Sequence, residues 1–275
     1  MLSFAVVTGA LAALLSSTQP ATAGSGQLDP PVDPLRGAAA ETFLRTAEVV
    51  DKEPLASGVT RSWRLTLRQG DRQARAAWKT IDEYSHVQRF ERGMPELGFR
   101  DTWKHEVAAY ELDKILGLGL VPPTVERRIG RDTGALTLWI EDAMTEAGRR
   151  EKGLDPPDQA QWNREIYNVR LFRQLTYDTD FRNINNLLVG SDFHVWAIDH
   201  SRAFRTREEL LPAMELDRFS REVLDRLRAL TEKELDRSLG RWLTGLQIRS
   251  LLKRRDRIVA EADRLIAERG EAALF

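Results

Sequence analysis

Cysteine is absent from this 275-residue chain. No disulfide can form, so an exported form would stand on its core alone. Histidine is scarce, with four in all, and no His/Cys/carboxylate group has zinc-ligand spacing. His194 and His200 are therefore read as structural. An excess of either charge is also missing. Lys plus Arg total 41 and Asp plus Glu 42, a net charge of −1, which gives no electrostatic case for a nucleic-acid partner. Beyond the N-terminal segment no run is long and apolar enough to span a bilayer. No internal repeat is evident.

What is present bounds the architecture. At 42% apolar content the chain can bury a substantial core as one two-lobed domain. Leu2 to Leu15 is an uncharged, mostly apolar run. Ala21-Thr22-Ala23 follows as a small-x-small cleavage site, so residues 1–23 resemble a secretory signal peptide without a basic start. The expectation is export to a periplasmic or extracellular location, or a cytoplasmic protein if that segment is not a signal. Residues 24–45, rich in Gly, Pro and Ala at their start, read as a flexible linker.

The densest chemistry lies in Thr176–Phe204. Asp180 sits in a loop, Asn185 follows five places later, and Asp199 closes a hairpin made by Leu187–Val189, the turn Gly190-Ser191-Asp192, and Phe193–Ile198. Carboxylate, amide, then carboxylate at the end of a hairpin is the layout of a kinase phosphoryl-transfer site. One Asp takes the acceptor hydroxyl proton, and the amide and second Asp hold divalent metal. Upstream, ARAAWKTI (74–81) reads as a strand carrying Lys79. WKHEVAAYELDKILG (103–117) reads as a helix, with Ala108, Leu112, Ile115 and Leu116 on one stripe and Glu106 near its start. Lys79 paired with Glu106 would position the nucleotide phosphates. Asp178 with Asn183 repeats the five-residue spacing, and Asn186 directly precedes the strand. The loop register is thus open by one or two residues, with Asp180 and Asn185 preferred because Arg182 then lies two places after the Asp.

HEVAAYELDKILGLGLVPPTV (105–125), DFRNIN and IDHSRAF together resemble the atypical kinases. They are similar to the secretory-pathway kinases of Golgi casein-kinase type and to bacterial phosphatidylinositol-kinase-like and HipA-type relatives. The resemblance runs from about Val49 to the C-terminus. It implies an α+β, two-lobed protein-kinase-like fold: a small N-lobe antiparallel sheet with one long helix (46–144), then a mainly helical C-lobe (145–275). It also implies ATP, with Mg²⁺ or Mn²⁺, and a hydroxyl-bearing acceptor that is a protein, sugar, lipid or small molecule. The site residues so implied are Asp180 and Arg182 for catalysis, Asn185 and Asp199 for metal, and Lys79 and Glu106 for nucleotide. Glu141 and Ala143 would serve as the hinge toward adenine. The chain departs from the pattern in places. Asp180-Phe181-Arg182 replaces Asp-Arg-His, and Asp199-His200-Ser201 lacks the glycine of Asp-Phe-Gly. The segment in place of a phosphate-covering loop, EPLASGVT (53–60), has Gly58 as its one glycine. A catalytically idle pseudokinase and a nucleotidyl transferase on the same fold are the rival readings.

Three further expectations are structural. Residues 82–102 read as a polar insertion, and 158–175 as a C-lobe helix with Trp162, Ile166, Val169 and Phe172 inward. The basic run Lys253-Arg254-Arg255 reads as a solvated helix face.

Overall fold

The computed structural model describes residues 35–55, 62–89 and 96–275. The signal-like segment, the first part of the expected linker and Gly58 lie outside them.

The first element is helix α1 (Gly37–Thr46), which buries Ala40, Phe43 and Leu44. This corrects the linker expectation over residues 37–45. The three buried positions fall at helical spacing, and an alanine-rich sequence favours helix once an apolar face has somewhere to pack. Five strands then build one antiparallel sheet: β1 (Glu48–Pro54), β2 (Ser62–Gln69), β3 (Arg72–Lys79), and, after an excursion, β6 (Thr124–Ile129) and β7 (Asp132–Leu138). Their order is β1-β2-β3-β7-β6. Phe43, Leu44, Leu65, Leu67, Ala76, Trp78 and Leu136 form one core between α1 and the sheet.

The excursion between β3 and β6 includes the stretch expected as a polar insertion, residues 82–102. It holds a two-stranded hairpin of β4 (Asp82–Gln88) and β5 (Glu96–Thr102), followed directly by helix α2 (Trp103–Leu116). Strand β4 shows no apolar alternation because none of its residues is buried, whereas β5 buries Phe99, Asp101 and Thr102. Tyr84 and Val87 are exposed.

Below the sheet, a short three-stranded sheet is ordered β10-β9-β8, from β8 (Met144–Thr145), β9 (Leu187–Val189) and β10 (Val195–Ala197). The helices are α3 (Glu146–Glu151), α4 (Gln159–Thr176), α5 (Arg221–Ala229), α6 (Glu232–Leu239) and α7 (Gly245–Arg269). A second core joins α2 to them through Leu112, Leu116, Phe172, Leu175, Leu227, Ile248 and Leu251. The basic run on α7 divides. Lys253 is exposed, but Arg254 is fully buried and donates to the carbonyls of Leu175, at 2.8 Å, and Arg205, at 2.9 Å. Arg254 is therefore an internal strut, which corrects the solvated-face reading. No helix among the described residues is long and apolar enough to cross a membrane.

Candidate active site

Strand β3 is central, paired with β2 on one side and β7 on the other. Side chains alternate along it, so Ala76 and Trp78 enter the α1 core while Lys79 emerges on the opposite face. At that point β7 passes close by. A Cβ on Gly134 would lie 2.3 Å from the Lys79 carbonyl oxygen, so only glycine fits beside the end of the strand.

Helix α2 lies on the Lys79 side. Thr102 caps it, its hydroxyl accepting from the Lys104 N–H at 3.2 Å. Glu106 sits in the first turn and is buried. Lys79 Nζ lies 2.6 Å from Glu106 Oε1 and 2.6 Å from Asp199 Oδ1. The other Glu106 oxygen accepts from the His200 N–H at 3.0 Å. One carboxylate thus fixes both the lysine and the backbone just after Asp199. Asp199 itself adopts φ 62°, a left-handed conformation costly for a non-glycine residue. The Glu106–His200 bond and the Ile198 N–H to Asn186 O bond, at 3.0 Å, hold it there.

Burial opposes the charge of Lys79, but the two carboxylates outweigh it and raise its pKa above the usual lysine range. Burial likewise works against ionised Asp199, yet the ammonium beside it holds that carboxyl below the usual carboxylate range. Asp101, at the end of β5, is a further buried carboxylate that acts electrostatically on this pair. Burial pushes its pKa up, against the opposing effects of Ser201 and Lys79.

The Asp180 loop follows α4, whose C-terminus closes on Tyr177 at φ 48°. Asp178 is buried. Its Oδ1 accepts from the Asp180 N–H at 2.9 Å, and its Oδ2 is 3.6 Å from Arg173 Nε. Arg173 Nη1 also donates to Phe181 O at 2.7 Å. Arg173 and Asp178, not Arg182, therefore tie the loop to α4. Asp180 Oδ2 accepts from Asn186 Nδ2 at 2.8 Å and from Asn183 Nδ2 at 3.2 Å.

The expected residues thus fare unequally. Lys79, Glu106 and Asp199 meet, and Asp180 stands on the loop joined to Asp199 through Asn186. Asn185 does not join them. It is exposed, on the outer side of a one-turn 3₁₀ helix (Ile184–Asn186), while Asn186 is buried against Asp180. A 3₁₀ turn has about three residues per turn. Asn183 and Asn186 therefore share a face and Asn185 points elsewhere. Arg182 is exposed, with its guanidinium 4.9 Å over the Phe181 ring. Glu141 and Ala143 lie in the connector between β7 and β8. Glu141 is held by Arg75, Nε to Oε1 at 2.8 Å, and Asp142 turns at φ 55°.

Neither a protein-family model nor a curated protein matches the sequence. Solved structures do. A hydra Fam20 structure described as holding sugar superposes with TM-score 0.61 at 14% identity, over 86% of this chain and 91% of that one. The fold is that of an atypical kinase. A Helicobacter pylori proinflammatory kinase, CtkA, also aligns, with TM-score 0.51 at 10% identity, over 82% of this chain and 98% of its own. Both alignments cover more than four fifths of this chain.

Proposed function

We propose that this chain is an ATP- and divalent-metal-dependent phosphotransferase acting on a hydroxyl acceptor. The observation that carries the reading is the Lys79 ammonium seated between Glu106 on α2 and Asp199 beyond β10. Three residues separated by up to 120 positions along the chain converge as a kinase nucleotide site requires.

In this reading Lys79 binds the nucleotide phosphates, and Glu106 sets its position. Asp199 and Asn186 present oxygen donors of the kind Mg²⁺ and Mn²⁺ prefer, and Asn186 takes the role first assigned to Asn185. Such a metal, when bound, neutralises phosphate charge. Asp180, oriented by the two asparagine amides, accepts the acceptor hydroxyl proton. The acceptor oxygen bonds to the terminal phosphorus, the bridging P–O bond breaks, and the nucleoside diphosphate leaves with that electron pair. The connector through Glu141 and Ala143 would face the base with its backbone. Export is part of the proposal through residues 1–23, and the phosphoryl donor would then have to be found outside the cytoplasm.

Incubation with ATP and Mn²⁺, read by intact mass together with nucleotide turnover, tests this. A phosphoryl gain or acceptor-dependent ADP release is expected, and Asp199→Ala should abolish it. An adenylyl gain would assign nucleotidyl transfer. Nucleotide binding without turnover across protein, sugar and lipid acceptors would assign a pseudokinase.

A further inference from the structure

His194 directly precedes β10, and both of its ring nitrogens face oxygen. Nδ1 lies 3.2 Å from Glu165 Oε1 on α4, and Nε2 lies 3.0 Å from Gly119 O in the turn between α2 and β6. An ionised carboxylate and a carbonyl can only accept. A neutral imidazole has one N–H, so it would serve one of these oxygens and turn a lone pair on the other. The imidazolium serves both. The ring is also fixed in place. The His194 N–H donates to Asp192 Oδ1 at 3.1 Å, its carbonyl accepts from the Gly190 N–H at 3.0 Å, and the Trp196 ring packs edge-on at 4.6 Å. The charged groups facing it are Glu165 from α4, Asp192 from the β9–β10 turn and Asp113 from α2. All three are acids. The Glu165 bond outweighs burial and raises the His194 pKa above the usual histidine value. Burial pushes Asp113 up to about 6, so above that pH its charge also favours the imidazolium.

The parts that His194 joins also carry the candidate site. Gly119 lies in the turn that follows α2, and the first turn of α2 holds Glu106. Next to Gly119, Leu120 O accepts from the Ala197 N–H at 2.8 Å, and the Leu120 N–H donates to Asp113 Oδ1 at 3.0 Å. Ala197 ends β10, two residues before Asp199. We propose that His194 is a proton-operated clamp: its imidazolium ties the α2–β6 turn to α4 and to the β9–β10 hairpin, and loss of one proton releases one of those ties. The clamp is fully closed below about pH 6.5, the unfolded histidine value. It opens as pH rises through the higher folded value. Opening would let α2 shift against β10, and so Glu106 against Asp199. Nucleotide affinity would then fall in mild base. That consequence rests on the phosphotransferase reading, whereas the clamp itself does not.

The test is an NMR titration of the full chain labelled with ¹⁵N-histidine. With four histidines in the chain, loss of one signal set in His194→Gln identifies the ring. Both His194 nitrogens should read as protonated at about pH 6.5, with the midpoint above that value. Glu165→Gln should bring the midpoint back to about 6.5 or lower. Backbone hydrogen exchange at Leu120 and Ala197 reads the clamp directly. At about pH 6, protection should be about tenfold greater in wild type than in His194→Gln, the scale of one hydrogen bond to a charged group. At about pH 9 the two should converge, since the wild-type ring is then neutral. If His194→Gln does not melt cooperatively, Glu165→Gln should show the same loss of protection. A His194 midpoint at or below about 6.5 in wild type, or equal protection at the acid end, overturns the proposal. Titration of ATP with Mn²⁺ then tests the coupling. Affinity should fall several-fold across the His194 midpoint in wild type and by less in His194→Gln. Equal pH dependence in the two chains overturns the link to the site. Absence of ATP binding at every pH, with the clamp titrating as described, counts against the phosphotransferase reading and not against the clamp.

Discussion

At the residue scale the site turns on which groups are paired and which are buried. Lys79 lies between two carboxylates, with its side chain 15% exposed and that of Glu106 8%. Removing it leaves Glu106 buried with one partner gone, and breaking such a pair costs about 3 kcal/mol. Lys79→Ala should therefore lower Tm as well as abolish nucleotide protection. A variant as stable as the parent would show that Glu106 is not held by that contact. The asparagines make a sharper comparison. Asn186→Ala removes the 2.8 Å bond to Asp180 and should cut turnover by about a hundredfold, the scale of losing one preorganised group. Asn185→Ala should stay within a few-fold of wild type. The reverse ranking in steady-state assays would restore the five-residue spacing. Arg182→Ala is expected to leave the melting temperature unchanged, because an exposed side chain away from special features shifts stability by at most about 0.5 kcal/mol.

At the element scale, the strongly patterned segments were readable. α2 has an apolar stripe and a Thr cap, α4 its inward Trp162 and Phe172, and the β9–β10 hairpin a turn of Gly190, Ser191 and Asp192 between apolar runs. Each signal is local, set by side-chain period and turn chemistry. The β4–β5 hairpin was not readable, because DEYSHVQ has no buried face to alternate. α1 was hidden for another reason: the alanines and glycine preceding its apolar face also suit a linker. Its role is open to measurement. Phe43 is 2% exposed in the α1–sheet core, and Phe43→Ala should cost about 3–5 kcal/mol. A change below about 1 kcal/mol by urea denaturation would mean that α1 is an appendage to the fold.

At the scale of the whole molecule, one buried histidine ties distant parts together. His105 on α2 bonds through Nδ1 to Ser201 O and through Nε2 to the Gln247 side-chain nitrogen on α7, each at 3.0 Å. The Gln247 amide nitrogen can only donate, so Nε2 accepts and the proton sits on Nδ1. A second proton would set two donors against each other. Burial pushes the His105 pKa down to about 3, with the Arg205 and Arg100 charges adding to the effect. The unfolded value is about 6.5, so between the two the unfolded chain binds the extra proton. Stability is complete above that value and falls as pH drops toward 3, by up to about 1.4 kcal/mol per pH unit. Asp199, with its pKa depressed, loses its contribution only at lower pH, below the ordinary carboxylate range. Denaturation across the histidine window should therefore show about one proton less uptake in His105→Gln than in wild type. Equal slopes would place the acid sensitivity elsewhere.

The chain order of Lys79, Glu106, Asp180 and Asp199, and the elements that carry them, were determined by local sequence alone. Period, caps and turns act over a few residues and need no knowledge of the rest of the fold. Which residues share a face or an interior was decided by tertiary structure. Asn183, Asn185 and Asn186 are chemically identical, and only the turn that packs Asn186 inward separates them. Arg254 reads as a surface cation until the carbonyls of Leu175 and Arg205 are brought around it. Arg173 becomes the partner of Asp178 only because α4 and its loop fold back together. Burial and side-chain direction depend on contacts distant in sequence, and those are the quantities that a local pattern does not contain.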